Sequence, residues 1–196
     1  MSLLLGLILG AALHSTQATA EDPAVIQVQT LTSALLKSMQ AGTATSPSGR
    51  YRALEPVIEQ VFALPLMARL SAGPGWVDFA PEQQTAVIAA FSRFTIANYA
   101  SNFRSFDGQR FEVDDGVVRR GGEKIVRSRI IPSADAPTKL LYRMLQVDGE
   151  WRIVDVYYDG ISQLTLHRAD FAGAIAAGGA PALIAYLNKA SGDLMK

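Results

Sequence analysis

The chain has no cysteine among its 196 residues. That excludes disulfides, thiolate metal sites and a lipidated N-terminal cysteine. Histidine is nearly absent too: His14 and His167 are the only two, so a His-rich metal centre is unavailable. Net charge is also missing. Eighteen basic residues balance eighteen acidic ones, so no global field draws the protein to nucleic acid or anionic membrane. No Lys or Arg precedes the apolar run Leu3 to Leu13, and the first basic residue is Lys37.

That run is too short to span a bilayer comfortably. Ala18-Thr19-Ala20 then supplies small residues before Glu21. The pattern predicts a secretory signal peptide over 1–20, cleaved after Ala20, and a periplasmic protein with no covalent lipid anchor. No later segment reads as long and apolar enough to cross a membrane. Residues 21–196 suit a single domain with a substantial core. Apolar residues make up 49% of the chain, enough to line a cavity or simply to fill a large interior.

The order of elements reads α, then β, then α. Asp22 is a candidate N-cap and Pro23 a first helical residue, with Val28, Leu31, Leu35 and Met39 on one stripe. Gly42 can end that helix, and Thr43–Gly49 reads as a loop. Arg50 to Phe62 reads as a second helix, bent at Pro56, with a short third beginning at Leu64. Pro81 opens a long helix carrying Val87, Ile88, Phe91, Phe94, Asn98, Tyr99 and Phe103 along one side. In the middle, Asp115-Gly116 is a strong hairpin signal between Arg110–Asp114 and Val117–Arg120, and Lys124–Ile131 follows as a strand.

Asp148-Gly149 joins the last two strands, Leu140–Val147 and Glu150–Tyr158. A two-residue turn pairs Val147 with Glu150, Met144 with Ile153, Tyr142 with Asp155 and Leu140 with Tyr157. One face then carries Leu140, Tyr142, Met144, Gln146, Trp151, Ile153, Asp155 and Tyr157, with a single charge. The other carries Arg143, Leu145, Arg152, Val154, Val156 and Tyr158. The first face is expected to meet the helices. Helices flanking an antiparallel run predict an α+β fold: a bent sheet whose concave side the helices close, giving a cone.

Several short motifs appear in order. They are Leu66-Met67-Ala68, Gly75-Trp76, Pro81-Glu82-Gln83-Gln84, Phe91, Tyr99, Trp151-Arg152-Ile153-Val154-Asp155, Gly160-Ile161-Ser162, Arg168 and Phe171, then Gly178 to Ile184. Together they resemble the Mla-type periplasmic phospholipid-binding proteins, also called the toluene-tolerance family. Asp159 to Leu164 with His167-Arg168 is most similar to the hopanoid-associated HpnM subgroup. Leu166-His167 stands where common members carry a polar pair such as Asn-Tyr, and Ala63 where many carry Asp. The resemblance implies a cone like that of nuclear transport factors. It also implies a non-enzymatic carrier that moves phospholipid or a hopanoid-like lipid between envelope membranes, with membrane transport proteins as partners and no cofactor.

The expected lipid-lining residues are Leu66, Met67, Phe91, Phe94, Tyr99, Phe103, Tyr142, Met144, Ile153, Tyr157 and Ile161, each of which could equally be plain core. Asp155 is expected to be structural, held by Tyr142 or Arg168. The alternative makes it the general base of an isomerase- or dehydratase-like enzyme, with Tyr99, Tyr157 or His167 assisting. Arg168 is expected to partner a carboxylate or a helix end, Ser162 to cap a helix and His167 to lie exposed. A scaffold without a ligand is the third reading. Arg119, Arg120, Lys124, Arg127 and Arg129 are expected to form a solvated strand face.

Overall fold

The computed structural model describes residues 21–196; the expected signal peptide lies outside the described residues. Five helices and a five-stranded antiparallel sheet of order β1-β2-β3-β4-β5 form an α+β domain, as the pattern predicts. The helices are α1 (Pro23–Ala41), α2 (Pro47–Val61), α3 (Leu64–Ala72), α4 (Pro81–Asn102) and α5 (Gln163–Leu194). The strands are β1 (Arg110–Arg120), β2 (Glu123–Ile131), β3 (Thr138–Val147), β4 (Glu150–Tyr158) and the two-residue β5 (Ile161–Ser162).

Local chemistry sets the helix starts. The Asp22 side chain accepts from the Ala24 N–H at 2.9 Å, and Pro23 follows at the first helical position. Ser46 caps α2 in the same way, so this helix begins three residues before the expected start, inside the segment read as a loop. Pro56 sits within α2, and the helix runs on through it. Arg50 is buried and, among the described residues, has no carboxylate partner. Its guanidinium donates to the Ala100 carbonyl at 3.0 Å and to the Gly42 and Thr45 carbonyls. It thereby ties together the C-terminal ends of α1 and α4, where carbonyls lack helical partners.

The β1–β2 hairpin differs from expectation. β1 runs unbroken through Asp115-Gly116, and the chain reverses at Gly121-Gly122, with Arg120 opposite Glu123. Gly121 has a φ of 55°, which a two-residue hairpin turn requires. Asp114, Asp115 and Gly116 instead form a bulge between the Val113–Ser128 and Val117–Val126 pairs. The Asp148-Gly149 turn is as expected, with φ of 52° and 84° and Val147 opposite Glu150.

Beyond Met144 and Ile153 a second bulge shifts the β3–β4 register. Arg143 then faces Asp155, Tyr142 faces Val156, Leu141 faces Tyr157 and Leu140 faces Tyr158. Val156 and Tyr158 therefore join the inner face, while Asp155 and Tyr157 leave it. The pairings expected for Tyr142 and Leu140 are both wrong by one residue for this reason. Leu140, Tyr142 and Met144 do face the helices and are buried, as expected. Bulges of this kind increase local twist and bend the strand they interrupt.

Lys124 also departs from the solvated face expected of it. It points inward, buried, with Nζ 2.6 Å from Asp22 Oδ1 and 4.2 Å above the Trp151 ring. The ion pair ties the start of α1 to the sheet. The carboxyl of Asp22 is raised by burial, but hydrogen bonds from Lys124 and the Ala24 N–H outweigh that and hold it below its ordinary range.

α5 is longer than any helix read from the sequence and apolar enough to cross a membrane by length and composition, contrary to expectation. It is broken midway. Gly178 and Gly179 leave the helical region, Gly179 with a φ of 60°, and Pro181 follows. The first half packs Phe171 into the core, and the second packs Ala180, Leu183 and Leu187.

Candidate functional site

A cavity of about 620 Å³ opens between the inner sheet face and the helices. Its walls come from several segments. α1 gives Leu35 and Met39, and Phe62 with Met67 of α3 forms a second patch. The C-terminal half of α4 gives Thr95, Asn98, Tyr99 and Asn102, three and four residues apart and so on one helix face. The sheet gives Ile130, Thr138, Leu140, Tyr142, Val156 and Tyr158. The start of α5 gives Gln163 and His167. Phe103, Ser105, Gln109 and Pro132 complete the wall. The volume lies in the range of about 300–1,000 Å³ typical of small-molecule pockets.

Among the described residues, no Asp, Glu, Lys or Arg lines the cavity. The polar groups present are neutral. Burial pushes the Tyr142 phenol up to about 12 and the Tyr99 phenol still higher, so both stay protonated hydroxyls. The Tyr142 hydroxyl meets Ser128 Oγ at 3.5 Å. Burial lowers the pKa of His167 despite the opposing pull of Asp170 and Asp155, which favours the neutral imidazole. Its ring stacks on Phe171 at 5.6 Å and 5°, with Phe94 edge-on at 5.4 Å. Among the described residues no cluster of His, Asp or Glu could hold a metal ion.

Of the eleven residues expected to line a lipid site, the cavity brings together Met67, Tyr99, Phe103 and Tyr142. The other seven lie elsewhere. Phe91 and Phe94 sit on the α4 face turned toward α5, where their rings meet Phe171 and His167 edge-on. Met144 and Ile153 face each other in the fully buried core beyond the cavity's end. Leu66 is half-buried, next to Met67 but on a different side of α3. The β4 bulge places Tyr157 on the outer face, opposite Leu141. Ile161, in β5, is 56% exposed.

Asp155 has other partners than expected. Ser162 Oγ donates to its Oδ2 at 2.6 Å and the Leu164 N–H to its Oδ1 at 3.1 Å. Ser162 caps α5, accepting from the Thr165 N–H at 3.0 Å, as expected. The carboxylate thus holds the first turn of α5 against β4, at the helix end that favours negative charge. It is 98% buried and absent from the cavity wall, and among the described residues neither Tyr142 nor Arg168 bonds it. Arg168 forms no ion pair among the described residues. It is exposed, and its guanidinium lies against Gly73, the residue that ends α3. His167 is half-buried rather than exposed.

The residues missed were mostly legible in part. Leu35 and Met39 belong to the α1 stripe, Asn98 to the α4 stripe, and Leu140 to the inner sheet face. Val156 and Tyr158 were hidden by the bulge. Gln109, Pro132, Thr138 and Ser105 come from loops and strand ends that carry no periodic signal.

A solved structure of a phospholipid-binding protein from Ralstonia solanacearum, in complex with a phospholipid, superposes with a TM-score of 0.76 at 20% identity. The match covers 88% of this chain and 99% of that one. At that identity it shows a shared fold. No curated protein matches the sequence. The profile of the family described as MlaC protein matches residues 27–189, most of the described domain. With the fold, the motif order and that match in agreement, the chain belongs to the MlaC family.

Proposed function

We propose that the protein is a periplasmic lipid-binding carrier that moves phospholipid, or a hopanoid-type lipid, between the envelope membranes in exchange with membrane transport proteins. The observation that carries this reading is the uncharged cavity of about 620 Å³ between sheet and helices. The MlaC family and a solved relative in complex with a phospholipid support it. Each buried methylene contributes roughly 0.8 kcal/mol. A sixteen-carbon chain would therefore contribute on the order of 12 kcal/mol before ordering costs. Such a ligand needs no charged clamp, and a carrier that must release its cargo is better without one.

The isomerase-like reading loses its base, because Asp155 is bound to Ser162 and Leu164 outside the cavity. The scaffold reading fares badly for the opposite reason: the core is not filled. The test is transfer of a fluorescent phospholipid from donor to acceptor vesicles. The mature protein should accelerate it in proportion to its concentration. Transfer no faster than in buffer, with the protein folded, would reject the carrier reading.

A further inference from the structure

The cavity is apolar in bulk but holds hydrogen-bonding groups that the protein leaves unused. The Tyr99 hydroxyl makes no hydrogen bond among the described residues, and Tyr99 is half-buried on the cavity wall. The His167 ring likewise makes none, and its packing against Phe171, Phe94 and Phe91 fixes its plane. Both residues line the one cavity, from α4 and α5 respectively. Plain hydrocarbon would gain nothing from either.

Their chemistry narrows the partner. A neutral phenol and a neutral imidazole each offer one proton donor. No cation accompanies them on the wall, so a phosphate or carboxylate would enter without compensation. What two neutral donors suit is a neutral acceptor oxygen, and in a lipid that is a carbonyl where an acyl chain joins its backbone. Asn98 Oδ1 accepts from Asn102 Nδ2 at 2.7 Å, which leaves the Asn98 Nδ2 as a further neutral donor on the same wall.

We infer that Tyr99 and His167 form an anchor inside the cavity that hydrogen-bonds the ester carbonyl of an acyl lipid, so that the site selects ester-linked over ether-linked chains. This rests on the lipid-carrier reading and adds a selectivity to it.

The test is competition between two probes with the same headgroup and chain length, a diacyl phosphatidylglycerol with ester links and its dialkyl counterpart with ether links. The mature protein is equilibrated with both at equal concentration and the bound species are weighed by native mass spectrometry. The ester probe should be favoured by roughly two- to tenfold for each hydrogen bond made. In a folded Tyr99→Phe/His167→Phe double variant the ratio should approach one. If that variant fails to fold, Tyr99→Phe alone serves the same comparison and should lower the ratio. Equal binding of the two probes by the wild type overturns the anchor and leaves the carrier intact. A preference that survives in the folded variants also overturns it. If the wild type takes up neither probe, the carrier reading falls and the anchor with it.

Discussion

Replacing Asp155 separates a structural carboxylate from a catalytic one. It receives two hydrogen bonds at 2.6 and 3.1 Å, from Ser162 Oγ and the Leu164 N–H, and is almost wholly buried. Hydrogen bonds to a charged group are worth about 1.5–3 kcal/mol each, and a buried donor left unpaired costs about 1–3 kcal/mol. Ser162 and Leu164 are only half-buried, so water can partly replace the lost acceptor. Asp155→Ala should therefore cost about 2–4 kcal/mol. Asp155→Asn keeps one acceptor oxygen and should cost about 1–2 kcal/mol. For a domain of this size each kcal/mol lowers the midpoint by about 2–4 °C. Thermal melts followed by circular dichroism, with urea titrations alongside, read both variants. Lipid bound per folded molecule should not change. An Asp155→Ala midpoint within about 1 °C of wild type would refute the argument. So would an Asp155→Asn protein that melts normally yet loses lipid handling.

The cavity wall and the core beyond it should respond differently to added bulk. Leu140→Trp, on the wall, should cut the lipid bound per molecule with little change in melting, whereas Phe91→Trp and Met144→Trp should leave the lipid and lose about 1–3 kcal/mol by overpacking; extraction and melting on the same samples decide. Asp22→Ala removes the α1 cap and strands the buried Lys124 charge, and should cost about 3–5 kcal/mol in urea titrations. Because the Asp22 carboxyl is held below its ordinary value, its contribution is full above the unfolded value of 3.8 and is lost as pH falls through the lower folded one. Wild type should thus destabilise more steeply than Asp22→Ala on acidification below about pH 4, measured by urea midpoints at stepped pH.

Much of the architecture was legible because it rests on local signals. The Asp22-Pro23 start, the α1 stripe, the Pro81 start of α4 and the Asp148-Gly149 turn are each fixed by chemistry within a few residues. So was the family, whose motifs run in order along the chain. The failures share a cause. Ile153-Val154-Asp155-Val156 places apolar residues on both parities, so nothing in the sequence reveals a one-residue bulge, yet that bulge exchanges Asp155 and Tyr157 for Val156 and Tyr158 on the inner face. Asp115-Gly116 is a good turn by composition, but Gly121-Gly122 brings Arg120 opposite Glu123 and keeps Val117 paired with Val126 on the buried side. The long α4 stripe is broad enough to serve two neighbours. Its Phe91 and Phe94 face α5, and only Thr95, Asn98, Tyr99 and Asn102 turn to the cavity. Which apolar residues bound a void and which fill a core is decided by packing between distant segments, and periodicity carries no record of it.

The central claim, that the cavity holds lipid, is tested most directly by native mass spectrometry of the protein purified from the cells that make it. The account predicts a bound species carrying acyl chains or a polycyclic hydrocarbon, released on denaturation and depleted in Leu140→Trp. Folded wild-type protein that arrives with an empty cavity, and stays empty after incubation with phospholipid vesicles, would contradict it.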